Sequence, residues 1–295
     1  MRKISSGVYG LNIILDGGVN QDSTNVIIGS AGAGKTTFAT QFIRRGLEEG
    51  QEGIYVSLDE NKEQIVKEAV EMGWGEILDY IDREQLVFID ASGKDFSRFI
   101  KEELPSFVDN WKGSNARIVV DPLTPVIWAI KDRYEQRDLL SFMFKQLRRV
   151  GTVVCTLEEH NPAGDLSGPE VVIPMYLADS VIHLTNVQTD IGPKRVLKVE
   201  KCRSSAHSEL LHPYVIVKGL GMVIGGKNTR PEHDEKAADD IRSILKGRAK
   251  VIPPFAYRRI LKALESITER ELAWITPDEM AEVILSEYET EKNER

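Results

Sequence analysis

Apolar residues along this chain fall into two periods that take turns. Near-continuous apolar runs at 25–29 (NVIIG), 53–58 (GIYVSL), 86–90 (LVFID), 116–121 (ARIVVD) and 152–157 (TVVCTL) predict strands. Between them, apolar positions recur at helical spacing. Over 36–50, Phe38, Phe42 and Ile43 share a face and Gly50 stops the run; over 61–74, Asn61 and Gln64 stand at capping-box spacing. Two more helices are expected at 96–112, where Pro105 should bend or divide the run, and at 136–151. Strand and helix in turn predict an α/β fold, a mostly parallel sheet with helices on both faces.

After Leu157 the texture changes. Residues 158–170 (EEHNPAGDLSGPE) are rich in Gly, Pro and polar residues and read as a mobile loop. Strand patterns at 180–184, 195–203, 212–217 and 221–224 then follow without helices between them, which predicts an antiparallel extension of the sheet. A polar stretch at 225–235 leads into charged helical patterns at 239–247, 253–267 and 276–289. Thr276 and Glu279 stand at capping-box spacing with Pro277 at the first helical position, and Thr268 and Glu271 repeat the spacing. The expected organisation is an α/β domain over 1–230 and a small helical appendage over 231–295, its last residues fraying.

Composition narrows the partners. A formal net charge of −8 over 295 residues counts against a general polyanion binder, so nucleic acid is not the expected partner. No apolar run approaches the ~20 residues of a spanning helix. The two cysteines, Cys155 and Cys202, fall in strand patterns with no paired Cys/His spacing and read as core thiols of a cytoplasmic protein.

The chemistry begins at Gly29-Ser30-Ala31-Gly32-Ala33-Gly34-Lys35-Thr36, which fills the GxxxxGK[ST] template between a predicted strand and a predicted helix. Glycines let backbone N–H groups turn inward around phosphate oxygens, and the helix N-terminus adds its positive end. Lys35 is expected to reach the β- and γ-phosphates, the Thr36 hydroxyl to ligate Mg²⁺, and Thr37 to add a phosphate contact. Asp121, closing ARIVVD, is the candidate to hold Mg²⁺ through water, with Asp90 at the end of LVFID as its competitor. Asp59 and Glu60, ending the strand after the phosphate-loop helix, are placed either to polarise water or simply to open the next helix.

These parts, in this order, resemble the KaiC-like branch of the RecA-type ATPases. The resemblance covers residues 4 to 225: SSGVYGLNIILDGGV with Gly7 and Gly17-Gly18, the phosphate loop, the acidic pair, the strand-end Asp, and ADSVIHL followed by the Lys-x-Arg strand. It implies a RecA-like sheet, ATP and Mg²⁺ as ligands, and Glu60 orienting the attacking water with Asp59 assisting. It also implies rings, typically homohexamers, with ATP at subunit boundaries, where Lys201 and Arg203 would reach the γ-phosphate held by a neighbour. Two apart on a strand, those cations project from one face. His207 nearby is either a structural residue or a contact to nucleotide or neighbour, and Glu158-Glu159 are placed to sense the γ-phosphate.

Three readings follow. The first is a regulatory ATPase acting as a nucleotide-gated ring, with protein partners met through 231–295. The second is an ATP-binding assembly switch that does not hydrolyse. The third is a recombinase-like DNA-dependent ATPase, disfavoured because 161–170 holds Asp165 and Glu170 but no Lys or Arg. Asp59 replaces the family's Glu and Asn12 a common Asp. The single phosphate loop means that clock function is not carried over, and no residue identifies an acceptor for autophosphorylation.

Overall fold

The structure is a computed structural model that describes residues 2–91, 98–160, 165–189, 192–225, 237–267 and 275–289. Six strands lie parallel: β3 (Thr24–Gly29), β4 (Gly53–Ser57), β5 (Leu86–Asp90), β6 (Ala116–Asp121), β7 (Gly151–Glu158) and β8 (Ser180–Thr189). Three more continue the sheet antiparallel: β9 (Gly192–Cys202), β10 (His212–Val217) and β11 (Gly221–Ile224). The nine-stranded order is β11-β10-β9-β8-β3-β7-β6-β4-β5. A short ribbon of β1 (Lys3–Ile4) with β2 (Val19–Asn20), the one-turn α1 (Leu11–Ile14) between them in the chain, lies apart from it. The expected α/β architecture with its antiparallel extension is borne out.

The central strands read as continuous apolar runs because both faces are covered. Alternate residues serve two cores: Val26, Ile28, Val120 and Cys155 face one, while Ile27, Val119 and Val154 face the other. The second core is closed by α2 (Lys35–Glu48), through Phe38 and Phe42, and by α3 (Lys62–Glu71) and α4 (Ile77–Asp82). The first is closed by α5 (Leu104–Trp111), α6 (Thr124–Ala129), α7 (Arg133–Leu147) and α8 (Pro169–Leu177).

Local signals set several boundaries. Asn61 caps α3, its Oδ1 accepting from the Gln64 N–H at 2.9 Å. Pro105 divides its helix as expected: a π-helical turn over Phe99–Glu103 precedes α5, which carries the proline in its first turn. The helix α8 is missing from the expected elements because Pro174 stands inside its apolar run. The loop expected at 158–170 and the linker at 225–235 lie partly outside the described residues, and the Thr268/Glu271 cap lies wholly outside them.

The last helices are α9 (Ala237–Gly247), α10 (Pro254–Ser266) and α11 (Pro277–Glu289). Thr276 caps α11 by accepting from the Glu279 N–H at 3.3 Å. Ile241, Leu245, Ile260, Leu264, Met280 and Ile284 form one buried cluster with Tyr9 and with Val217, Leu220 and Val223 of the antiparallel edge. The C-terminal helices thus share a core with the rim of the sheet.

Candidate nucleotide site

The loop 30–34 joins β3, a central strand, to α2, so its backbone is held at both ends by buried elements. Gly34 has φ 94°, a left-handed conformation, and a Cβ there would stand 2.7 Å from Ile216 Cδ1; only glycine fits. Gly32 is also left-handed at φ 75°, but a Cβ there would meet nothing within 4 Å, so the mouth of the cradle is open. Tyr214 on β10 donates its hydroxyl to the Ala33 carbonyl at 2.7 Å and pins the loop from the side. Thr36 and Thr37 stand half-buried in the first turn of α2, where the N–H groups of the helix have no intrahelical partner.

Lys35 folds back onto the loop, its Nζ donating to the Gly29 carbonyl at 3.0 Å and the Ser30 carbonyl at 3.1 Å. Burial holds its pKa below the ordinary lysine value, against the opposing pull of Glu158, Asp121 and Glu159.

Asp121 ends β6 with 7% exposure. Its Oδ2 accepts from the Tyr55 hydroxyl at 2.6 Å, and its Oδ1 accepts from the Thr156 hydroxyl. Both donors are neutral hydroxyls that orient the carboxylate, and an oxygen ligand of this kind is one that could hold Mg²⁺. Asp90 stands exposed at the end of β5, the outermost strand. Asp59 and Glu60 are exposed in the turn between β4 and α3, and Ser57 fixes that turn by donating to the Glu60 carbonyl oxygen. Partial burial raises the Glu60 pKa, with Glu68, Asp121 and Asp59 adding to the rise, the direction that suits a proton acceptor.

A cavity of about 420 Å³ opens beside the loop, between α2 and α3. Thr36, Thr37 and Thr40 line one wall and Ile65 and Glu68 another, and the exposed Lys218 also borders it. Because it shares Thr36 and Thr37 with the phosphate cradle, it is positioned for the nucleoside part of a nucleotide, and its size suits one.

Lys201 and Arg203 are not brought to this site. Lys201 pairs with Val181, which pairs with Val26, three residues before Gly29 and two strands away. That places Lys201 about 10 Å back along the sheet and about 10 Å across it. There the Lys201 Nζ donates to the Met175 and Tyr176 carbonyls at 2.8 and 3.1 Å, and Arg203 donates to the Tyr176 carbonyl at 2.8 Å. The two cations therefore cap the C-terminus of α8, where the helix dipole favours positive charge. In the segment after β9, a His207 ring nitrogen lies 3.1 Å from the Ser208 carbonyl. Tyr55, Thr156 and Tyr214 carry no signal in the sequence, since each acts on the loop or on Asp121 from another strand.

Fold and site together define a RecA-like P-loop nucleotide-binding protein. The family model "ATPase: KaiC" matches residues 4–229, and the chain belongs to that family. It is 28% identical over 235 residues to the circadian clock protein KaiC3 of Synechocystis, covering 76% of this chain but 46% of the relative. The chain thus spans about half the length of that clock protein. It is also 28% identical over 235 residues to UPF0273 protein PH0284 of Pyrococcus horikoshii, covering 74% of this chain and 93% of the relative. Among solved structures, the KaiC-like protein PH0186 of Pyrococcus horikoshii matches with a TM-score of 0.64 at 28% identity, covering 76% of this chain and 98% of that one. No helix among the described residues is long and apolar enough to cross a membrane.

Proposed function

We propose that this chain is a Mg²⁺-dependent ATPase that works as a nucleotide-gated ring, its ATP held at the boundaries between copies. The observation that supports the reading is the pairing of β4 with β6, which sets Ser57 opposite Asp121 and the Asp59-Glu60 turn just beyond it, while Lys35 lies in the field of Asp121. Lys35 would leave the Gly29 and Ser30 carbonyls for the β- and γ-phosphates. Thr36, and Asp121 through water, would hold Mg²⁺, which would supply charge neutralisation at the phosphates. Glu60 would accept the proton of the water that attacks the γ-phosphorus as the bond to the leaving ADP oxygen breaks.

Lys201 and Arg203 stand away from the chain's own loop, which supports their use by a neighbouring copy, to which they would turn by leaving the Met175 and Tyr176 carbonyls. A cation delivered in trans makes turnover depend on assembly. Residues 231–295 are proposed as the appendage that passes the state of the ring to a protein partner, because their helices pack on the sheet rim and on α2.

Steady-state phosphate release tests the reading alongside nucleotide binding and particle mass in ATP, in ADP and without nucleotide. Glu60→Gln is expected to bind ATP normally and to lose turnover by about 10²- to 10⁴-fold. Wild-type turnover no faster than that of Glu60→Gln, with mass still responding to ATP, would replace the enzyme by a nonhydrolysing assembly switch. Stimulation by single-stranded DNA that fades with salt would point to a recombinase-like activity instead.

A further inference from the structure

A second line of polar side chains runs from the phosphate loop to Lys201, on the sheet face away from α2. It starts at the Gly29 carbonyl, which accepts from Lys35 Nζ at 3.0 Å and also from the Glu159 N–H at 3.1 Å. The Glu159 carboxylate, buried at 8% exposure, meets His183 of β8 with Oε2 3.0 Å from Nε2. His183, 4% exposed, turns its other ring nitrogen toward Glu200 of β9, with Nδ1 3.8 Å from Oε1. Glu200 Oε2 in turn accepts from Lys198 Nζ at 2.8 Å. One side chain from each of β8 and β9 and one from just past the end of β7 thus bridge β3 at the loop entrance.

The bridge ends at an irregularity with a consequence for Lys201. Pairing between β8 and β9 slips between Val181 and Ile182: Ile182 opposes Val199 while Val181 opposes Lys201, so Glu200 is the extra residue of a β-bulge. In a regular strand Lys201 would face the side opposite Glu200 and Lys198. The bulge turns it instead toward α8, whose Ile173, Met175 and Leu177 pack on the same core as Val181, and there it reaches the α8 carbonyls. The residue that re-aims Lys201 is the residue that meets His183.

We propose that Glu200 and His183 are positioning residues for the Lys201/Arg203 pair, holding it in register with the chain's own phosphate loop through Glu159 and Gly29. This rests on the reading in which that pair serves a neighbouring copy. Glu159 and His183 are buried and within hydrogen-bond distance, and such groups fix geometry better than exposed ones, because each would lose its partner in a low-dielectric setting if it moved; Glu200, its side chain 19% exposed, packs beside them at 3.8 Å. The pair offered to the neighbour is thereby set from inside the subunit that offers it.

The test uses full-length chains mixed into common assemblies. A recipient chain carries Arg203→Ala, so its own site is intact but it offers no arginine; a donor chain carries Glu60→Gln, so it offers the pair but does not turn over. Hydrolysis in the mixture then comes from recipient sites completed by donors. Glu200→Ala placed in the donor is expected to lower that hydrolysis by more than about tenfold, since misplacing a catalytic group by about 1 Å costs on the order of 10²-fold. The same substitution placed in the recipient should change it less than about twofold.

An equal loss from either placement, or a loss only from the recipient, would overturn the proposal, since a merely structural role or a role in the chain's own site predicts those patterns. A parent mixture with no more activity than the separate chains, while wild type hydrolyses ATP, would sink the trans reading and the proposal with it. His183→Gln in the same two placements gives an independent answer should Glu200→Ala fail to fold.

Discussion

The two ends of α2 are built on opposite plans. Its N-terminus emerges from an open loop, with Ala31 and Gly32 exposed and the first-turn threonines half-buried. Its C-terminal half holds charge largely withdrawn from water: Arg44 is 2% and Arg45 4% exposed, the Glu48 side chain 2%, and only Glu49 at the very end keeps 24% of its side chain exposed. Arg45 pairs with Glu49 at 2.8 Å, Glu48 accepts from Arg259 of α10, and Glu49 accepts from Arg117 of β6 at 2.6 Å. Such buried pairs add little net stability over apolar packing, but removing one partner leaves a stranded charge. The open end presents its donors toward an open mouth, with Lys35 folded on the loop, while the closed end pairs its charges within the protein and keys the helix to β6, α10 and α11. One rod thus carries both the phosphate cradle and the attachment of the C-terminal helices.

Substitutions at the two ends should therefore fail differently. Arg117 is fully buried and donates to the Ser5 and Phe42 carbonyls, to Gln51 and to Glu49, so Arg117→Ala takes the donor away from four acceptors at the closed end. Urea unfolding should show a loss of about 3–5 kcal/mol. Lys35→Ala, at the open end, should weaken nucleotide binding by about 100-fold, the worth of charge-assisted phosphate contacts, and leave the unfolding midpoint nearly unchanged. If Lys35→Ala destabilised the fold as much as Arg117→Ala, the contrast between the ends would be wrong.

A smaller effect sharpens the same contrast through its sign. Gly46 lies inside α2, where glycine costs about 1 kcal/mol relative to alanine. A Cβ at Gly46 would stand 2.3 Å from Arg117 Cδ and 2.5 Å from its Nε. Gly46→Ala should accordingly destabilise by about 2 kcal/mol rather than stabilise, because it drives a methyl into a guanidinium whose partners hold it in place. A more stable Gly46→Ala protein, measured by the same unfolding, would show that Arg117 has room to move.

What the sequence could disclose follows from how local each signal is. The phosphate loop is complete within eight consecutive residues, and β3, β6 and β7 betray themselves because burial on both faces leaves an unbroken apolar run. Asn61 and Thr276 announce their helices because a cap is read three residues away. The closed end of α2 leaves no trace: Arg44, Arg45, Glu48 and Glu49 look like a solvated helix face, and periodicity cannot tell a solvated charge from one paired beneath other helices. Arg117 likewise passes as the polar start of a strand. Asn12 reads as a departure from the family's Asp, but its Nδ2 donates to Glu287 Oε2 at 2.9 Å across 275 residues of chain. An aspartate there would set two carboxylates face to face, so the amide and the C-terminal helix explain each other only in three dimensions.

Glu287 is also where the closed end should respond to pH. Its carboxyl is buried, takes hydrogen bonds from Ser5 and Asn12, and lies 3.8 Å from Arg45, with Glu49 and Arg117 also in its surroundings. Burial outweighs the pull of Arg45 and Ser5 and pushes its pKa up to about 7, from 4.5. The folded state therefore holds this proton more tightly than the unfolded chain does. Its contribution to stability is fully present below about pH 4.5 and is lost as pH rises through about 7. Between about pH 6 and pH 7 the loss attributable to this group should be on the order of 1 kcal/mol. Glu287→Gln keeps the shape and removes the titration, so the difference in unfolding free energy between wild type and variant should shift in the variant's favour by that amount across the interval. A difference that stays constant, or moves the other way, would mean that Glu287 is already ionised against Arg45 at the acid end of that interval and that the closed end of α2 is held by charge alone.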